Sequence, residues 1–299
     1  MFKPNGIIPA LVTPLDEHGN LMENSLKKVI DYTLEAGVHG VFVLGSTGEI
    51  YGLTDKQKQR VIEVTVEHVN GRVPVYAAAS EITTNNAIKT AKMAEEVGGV
   101  SAISVLTPYF VSPTQEEMAE HFKAVANSVK TPIILYGCDG RAHNKIMPET
   151  AFKLSREENI IGIKDSSGDA KRMEEYCKLT NDIEDFTVLC GIDTFICDGL
   201  TFGTNGAIAS SANIAPKISV GIYNAFKNGD LETARKLQEK LLPLRNAYGL
   251  GTFPGVIKEA LQMVGIDVGV ALKPVGPMSE ENRAKLAAVL KDLDVYKIK

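Results

Sequence analysis

Short apolar runs alternate with longer amphipathic stretches along most of this chain, and that alternation limits the folds the sequence can adopt. The stretches between the runs carry apolar residues at three- and four-residue spacing, which is typical of helices. Such an alternation indicates repeated βα units around a parallel sheet. The candidate strands are Ile7 to Val12, Gly40 to Leu44, Val73 to Ala79, Ala102 to Leu106, Pro132 to Tyr136, Ile160 to Lys164, Phe186 to Cys190 and Gly206 to Ser210.

A helical pattern follows each of these eight strands. Helix-starting residues support several patterns, because Thr54 and Thr114 precede helical stretches and Pro148 falls in a first turn. Eight strand-helix pairs predict an α/β fold, the (β/α)8 TIM barrel. An open doubly wound sheet also alternates strand and helix, but the strand count favours the barrel. The predicted helices are Ser25 to Ala36, Asp55 to Val69, Asn85 to Val97, Gln115 to Ser128, Pro148 to Ser155, Asp169 to Thr180, Thr194 to Phe202 and Pro216 to Asn228.

The strand signal disappears after Asn228. Three helical patterns remain, at Leu231 to Tyr248, Pro254 to Val264 and Ser279 to Leu293, and no Ser- or Gly-rich linker separates them from the barrel. We therefore expect a barrel over residues 1–228 and a C-terminal helical extension, a three-helix cap packed on the barrel, over residues 229–299.

Composition excludes several classes of function. The formal net charge of −5 argues against a nucleic-acid partner, and no apolar run approaches the roughly 18 residues of a membrane span. The four cysteines form no C-x-x-C pair and none has the Cys/His spacing of a zinc site, so no metal is implied. With no signal-peptide pattern at the N-terminus, we expect a cytoplasmic protein whose partner is a small molecule.

Polar residues that close apolar strands mark the active site of a barrel, which lies at the C-terminal ends of the strands. Lys164 closes one such strand, where desolvation would lower its pKa and leave a neutral, nucleophilic amine. An amine of this kind attacks a keto carbon and gives an iminium, an electron sink for making or breaking an adjacent carbon–carbon bond. The alternative is a lysine that pairs with Asp165 or extends to solvent, which for a single lysine is the more frequent case.

Two further features close neighbouring strands. The turn Gly45 to Gly48 offers backbone N–H groups and two hydroxyls, enough to hold a carboxylate, although an ordinary βα turn has the same form. Tyr136 is placed to exchange a proton with a reacting oxygen, although a strand-end tyrosine is often only structural. The combination with Lys164 favours the catalytic interpretation.

These motifs make the chain resemble a known family. Gly45-Ser46-Thr47-Gly48-Glu49, the Tyr136 strand and Ile161-Gly162-Ile163-Lys164-Asp165 occur in the order and at about the separations of the dihydrodipicolinate synthase/N-acetylneuraminate lyase family. The resemblance implies a class I lyase or aldolase in which Lys164 forms a Schiff base with pyruvate or a related 2-keto acid and Tyr136 relays protons. It also implies no cofactor beyond that covalent Schiff base, and a homotetramer built as a dimer of dimers. Further pocket residues implied by it are Ser46 and Thr47, which bind the keto-acid carboxylate, and Gly191 and Ile208, which line the wall.

The residues define the substrate less well, because one of them favours the reaction of a dihydrodipicolinate synthase and another disfavours it. Arg141 occupies the position at which dihydrodipicolinate synthases bind the carboxylate of their aldehyde substrate. Phe110, however, occupies the position of a second relay tyrosine that reaches across a subunit interface in those synthases, and a phenylalanine cannot relay a proton. The loop after Tyr136 also departs from the family's usual asparagine-x-proline.

On these grounds the sequence favours a retro-aldol lyase that cleaves a 2-keto-3-deoxy sugar acid to pyruvate and an aldehyde. Asp193 and Ser210 would then bind substrate hydroxyls. Tyr109, next to Phe110, and His143, in the loop after Tyr136, are further candidates near the site. Two alternatives stay open: a dihydrodipicolinate synthase that condenses pyruvate with aspartate semialdehyde, and a non-catalytic sugar-acid-binding relative.

Overall fold

Parallel strands form the centre of the molecule. A computed structural model describes residues 2–295 and 297, and within them eight strands lie in the order β1-β8-β7-β6-β5-β4-β3-β2, every pair parallel. Ala10 bridges to Phe42, and the Leu11 N–H donates to the Phe42 carbonyl at 2.8 Å, which joins the two ends of the sheet. The predicted (β/α)8 barrel is confirmed. The strands are β1 (Gly6–Pro9), β2 (Val41–Val43), β3 (Val75–Ala78), β4 (Val100–Leu106), β5 (Ile133–Gly137), β6 (Ile160–Asp165), β7 (Thr187–Cys190) and β8 (Gly206–Ala209).

Helices surround this barrel and begin where the sequence signals predict. The hydroxyls of Thr54 and Thr114 each accept a hydrogen bond from a first-turn backbone N–H in a capping box, and Pro148 opens the first turn of its helix. The α-helices are α1 (Glu23–Leu34), α2 (Asp55–Val69), α3 (Thr84–Val97), α4 (Gln115–Ala126), α5 (Asp139–Ala142), α6 (Pro148–Leu154), α7 (Ala170–Thr180), α8 (Ile196–Phe202), α9 (Pro216–Lys227), α10 (Leu231–Ala247), α11 (Gly255–Met263) and α12 (Glu280–Asp292). Short 3₁₀ turns occur at Ile50–Gly52, Asp193–Phe195, Ser211–Asn213 and Tyr248–Leu250.

Among the α-helices of the described residues, the short helix α5 is the one that the sequence did not predict. It has four residues, one of them Gly140, and so offers no apolar periodicity to detect. It begins two residues after the end of β5, and it therefore shapes the loop at the mouth of the barrel.

The C-terminal helices pack on the barrel and share its core. Helix α10 lies against α8 and α9, and Leu241, Leu244, Leu286 and Leu290 are buried in the same apolar cluster as the strands. Between α10 and α11 the chain runs back over the C-terminal ends of the strands. The three predicted helices are present, whereas a domain boundary at residue 228 stays a prediction. Among the described residues, no helix combines the length and apolar character needed to cross a membrane.

Candidate active site

Lys164 lies near the end of β6, in a strand that is buried throughout. Its side chain is 4% exposed, and its Nζ lies 4.0 Å from the centre of the Tyr136 ring and 4.9 Å from that of Phe42. Burial is the main cause that lowers the pKa of Lys164 to about 8, and the nearby Arg141 charge acts in the same direction. At pH 7 about a tenth of this amine is therefore neutral, far more than for an ordinary lysine, and this fraction can act as a nucleophile.

Tyr136 pairs in register with Lys164 on the adjacent strand β5. Burial raises the pKa of the phenol, although hydrogen bonds to the hydroxyls of Ser46 and Ser166 act in the opposite direction. The phenol is therefore protonated at neutral pH and lies in a chain of hydroxyl groups beside the amine. Such a chain can carry a proton to or from a group bound at Lys164.

The turn after β2 carries the two hydroxyls predicted to bind a carboxylate. Residues with positive φ bracket it, Leu44 at 60° and Glu49 at 57°. A Cβ on Gly48 would lie 3.1 Å from the Leu44 nitrogen and 3.2 Å from the Leu11 carbonyl oxygen, so the turn is packed closely against the segment that follows β1. Thr13 fixes it further by donating to the Gly48 carbonyl at 2.7 Å.

A cavity of about 520 Å³ opens at this end of the barrel. It brings together all nine residues predicted as catalytic or substrate-binding: Ser46, Thr47, Tyr136, Arg141, Lys164, Gly191, Asp193, Ile208 and Ser210. The cavity is therefore shaped by the strand ends, as the sequence predicted.

Gly191 lines the cavity directly after β7, and its lack of a side chain has a specific consequence. A Cβ there would lie 2.0 Å from the Ser166 Oγ, which donates to the Gly191 carbonyl at 3.0 Å. Only glycine leaves Ser166 free to reach Tyr136. Ile208, 1% exposed on β8, supplies apolar surface to the same wall.

Asp193 and Ser210 line the cavity, but they contact each other. The Asp193 carboxylate accepts hydrogen bonds from the Ser210 hydroxyl at 2.7 Å, from the Ser211 hydroxyl at 2.7 Å and from the Ser211 N–H at 2.9 Å. Arg245 approaches the same carboxylate, with its Nε 3.8 Å from Oδ2. These contacts organise the wall and leave Asp193 little capacity for a substrate hydroxyl.

Arg141 is exposed at the mouth of the cavity, on α5. Its guanidinium carbon lies 4.2 Å from the centre of the Phe253 ring, a cation–π contact with the C-terminal part of the chain. The loop that carries Arg141 is held to α7, because Arg172 donates to the Asp139 carboxylate at 2.7 and 3.3 Å.

The three candidates named as near the site do not line the cavity. Tyr109 is half-buried and packs against Tyr136, Cys138 and their neighbours, whereas His143 directly follows α5 in an exposed position. Phe110 is 94% exposed and has a φ of 70°. A large apolar side chain held in a strained, exposed conformation is unusual for an isolated chain.

Several cavity residues were missed by the sequence analysis. Ser166 and Ser167 directly follow Lys164 and Asp165, so the strand-end rule could have found them. The same rule could have found Ala10, Cys138 and Ile192, which follow β1, β5 and β7. The remaining cavity residues come from helices and connections without strand-end signals: Gly140, Arg245, Tyr248, Gly249 and Phe253. Within the part of the chain that the structure describes, no group of three or more His, Cys, Asp or Glu side chains is placed to hold a metal ion.

A parallel barrel with a desolvated lysine at a strand end, a tyrosine beside it and a hydroxyl-bearing turn opposite has the features of a class I, Schiff-base lyase or aldolase. The sequence profile of the dihydrodipicolinate synthetase family matches residues 3–293. The chain belongs to this family. Enzymes of the family use a covalent lysine–pyruvate Schiff base without an external cofactor, so the chain is a pyruvate-dependent enzyme, and a non-catalytic relative has no support.

Individual relatives agree with this assignment. The chain is 39% identical to the 4-hydroxy-tetrahydrodipicolinate synthase of Methanopyrus kandleri, over 98% of this chain and 97% of that protein. It is also 39% identical to the enzyme of the same name from Thermodesulfovibrio yellowstonii, over 99% of this chain and 100% of that protein. Among solved structures, it resembles the Escherichia coli K12 prophage protein YagE, crystallised in complex with pyruvate, with a TM-score of 0.94 and 32% identity over 97% of this chain and 99% of that one.

Proposed function

We propose that this enzyme is a 4-hydroxy-tetrahydrodipicolinate synthase, which condenses pyruvate with aspartate semialdehyde. The observation that carries the proposal is the position of Arg141, a cation on an aromatic ring at the mouth of the cavity that contains Lys164. The guanidinium of Arg141 could bind the carboxylate of an aldehyde substrate that carries one. The names of the curated relatives favour this reaction over the retro-aldol cleavage that the sequence alone favoured.

The proposed reaction begins at Lys164. Its neutral amine attacks C2 of pyruvate, and loss of water gives an iminium. Loss of a proton from C3 then gives an enamine, whose C3 attacks the aldehyde carbon to form the new carbon–carbon bond. The amino group of the aldehyde substrate finally attacks C2, closes the ring and releases Lys164, so that one water is lost overall.

In this scheme each wall of the cavity has a role. Ser46 and Thr47 hold the pyruvate carboxylate with hydroxyl and backbone N–H groups, which fixes C2 next to the Lys164 amine. Tyr136 passes protons to and from the reacting oxygen through Ser46 and Ser166, its hydrogen-bonding partners. Gly191 and Ile208 give the pyruvate moiety its close-fitting wall, and Arg141 binds the second carboxylate.

Phe110 favours a second candidate, retro-aldol cleavage of a 2-keto-3-deoxy sugar acid. That reaction uses the same Lys164 enamine in reverse and does not need a hydroxyl at position 110. Asp193 and Ser210 would then face the hydroxyls of the sugar chain, although both already bond to each other.

A homotetramer and a cytoplasmic location complete the proposal. Phe110 and Val111 are exposed apolar residues in one loop, 94% and 47% exposed, which supports their burial against a second copy of the chain. All four cysteines are buried and free, which suits a reducing compartment.

Two measurements test the proposal. Borohydride reduction with pyruvate should add one pyruvate-derived mass at Lys164, and the Lys164→Met variant, which lacks the amine, is the matched control. Wild-type enzyme should then condense pyruvate with aspartate semialdehyde faster than it cleaves 2-keto-3-deoxygluconate. Adduct formation combined with faster cleavage would establish the second candidate instead.

A further inference from the structure

We propose that the buried ion pair between Glu49 and Lys258 is a positioning device, through which the C-terminal helix α11 sets the geometry of the pyruvate-carboxylate turn, residues 45–49. The inference rests on the proposed role of Ser46 and Thr47 in binding that carboxylate. It adds two residues, neither of which lines the cavity, to the determinants of pyruvate affinity.

The pair is fully enclosed. The side chains of Glu49 and Lys258 are 0% and 2% exposed, and Lys258 Nζ lies 2.6 Å from Glu49 Oε1. The second carboxylate oxygen of Glu49 accepts the Leu272 N–H at 2.7 Å, and Lys258 Nζ donates to the Val270 carbonyl at 2.7 Å. The turn after β2 is thus held to two segments of the C-terminal part of the chain, more than 200 residues away in sequence.

The pair acts on a turn whose ends are strained. Leu44 and Glu49 both lie in the left-handed region, which is disfavoured for a residue with a side chain. Such a conformation persists only where the surroundings enforce it. At the Glu49 end, the side chain is held by its ion pair with Lys258 and by the hydrogen bond from the Leu272 N–H, and the Gly52 N–H donates to the Glu49 carbonyl at 3.0 Å.

Glu49 is hydrogen-bonded within the turn that contains Ser46 and Thr47, the residues predicted to bind the pyruvate carboxylate. Its backbone N–H donates to the Ser46 carbonyl at 3.3 Å, and the Gly48 N–H donates to the Gly45 carbonyl at 2.9 Å. A change in the backbone at Glu49 therefore displaces Ser46 and Thr47 relative to Lys164, whereas Lys164 and Tyr136, on strands β6 and β5, stay in place. The expected signature is a weaker hold on pyruvate with the chemistry at the amine preserved.

A structural role alone would lower stability, since a buried charge without its partner is costly. A double variant separates the two roles. Glu49→Gln and Lys258→Met each remove one charge, whereas Glu49→Gln combined with Lys258→Met leaves no buried charge and should recover much of the lost stability. Glu259→Gln is the matched control, because Glu259 neighbours Lys258 on α11 and pairs with Arg283 on α12, away from the turn.

The experiment measures the thermal midpoint of each variant and the pyruvate concentration that gives half-maximal borohydride trapping at Lys164. We expect the half-saturating pyruvate concentration to rise about tenfold to a hundredfold in Glu49→Gln and to stay raised in the double variant, with trapping at saturating pyruvate unchanged. Glu259→Gln should bind pyruvate as the wild type does. A double variant with wild-type half-saturation, or one that fails to fold, would overturn the proposal, because either result would make the role of the pair purely structural.

The result is distinguishable from a failure of the proposed function. Trapping with pyruvate does not depend on the aldehyde partner. If Ser46→Ala and Thr47→Ala leave half-saturation unchanged, the carboxylate site itself is wrong; if they raise it while the double variant does not, only the role of Glu49 and Lys258 is wrong.

Discussion

The amine nitrogen of Lys164 lies 4.0 Å from the centre of the Tyr136 ring, and the two residues are paired in register on neighbouring strands. The arrangement removes the amine from water and places a phenol next to it. The same burial that makes the amine a nucleophile opposes its charged form, so function and stability conflict at this residue.

This conflict predicts that Lys164→Met stabilises the protein in a pH-dependent way. The pKa of Lys164 falls from 10.5 in the unfolded chain to about 8 in the folded one, so the folded state binds fewer protons. The resulting penalty is fully present below about pH 8 and disappears as the pH rises to 10.5; at pH 7 it amounts to about 3 kcal/mol. Urea unfolding of Lys164→Met should show a gain of up to that size at pH 7 and little gain at pH 10. Lys171→Met, which alters an exposed lysine, is the control, and an equal gain at both pH values would contradict the prediction.

The pH dependence of adduct formation follows from the same pKa. Because only the neutral amine attacks pyruvate, the second-order rate of trapping should rise about tenfold per pH unit below pH 8 and level off above it. The charge of Asp193 favours the ammonium form, so Asp193→Asn should move the midpoint to lower pH. Stopped-flow trapping across pH 6 to 10 measures both midpoints, and an upward shift in Asp193→Asn would show that Asp193 does not act through its charge.

The predictable part of this site is the part that the strand pattern encodes. Lys164 and Tyr136 each stand at the end of an apolar run. In a parallel barrel the C-terminal ends of all strands lie at one face, so the position of a residue at the end of a strand in the sequence is enough to place it near the active site. The turn after β2 was found for the same reason. No comparable rule covers Arg245, Tyr248 and Phe253, which reach the cavity from the end of α10 and the segment after it.

The role of Asp193 shows a different limit of sequence analysis. The family resemblance predicted that Asp193 binds a substrate hydroxyl, but not that its oxygens would be engaged by Ser210 and Ser211. Ser210 and Ser211 follow β8, and whether they reach Asp193 depends on how far the ends of β7 and β8 extend along the barrel axis. Hydrogen-bond saturation is a property of the packed structure and has no signature in residue spacing.

The contact between Arg141 and Phe253 is expected to determine how tightly the aldehyde substrate binds. Phe253→Leu removes the ring on which the guanidinium lies, and Arg141→Lys removes the planar group that stacks on it and binds carboxylates in bidentate fashion. Both variants should raise the KM for aspartate semialdehyde by about tenfold, equivalent to about 1.4 kcal/mol, and leave pyruvate trapping unchanged. Steady-state kinetics with each substrate varied in turn make this measurement. A rise in the KM for pyruvate in Phe253→Leu would indicate a general distortion of the cavity.

Phe110 provides the sharpest test of the proposed reaction. Its backbone has a φ of 70° and its side chain is 94% exposed, so replacing it by tyrosine adds a hydroxyl without disturbing any packing within the chain. If a proton relay at this position limits condensation, Phe110→Tyr should raise the rate of condensation with aspartate semialdehyde by at least about tenfold, at the low end of what a positioned acid or base contributes. Val111→Tyr, which places a phenol on the adjacent exposed residue, is the matched control and should have no such effect. If Phe110→Tyr leaves the rate unchanged, the determinant of the reaction is the loop after Tyr136, which lacks the asparagine-x-proline that the family resemblance leads us to expect.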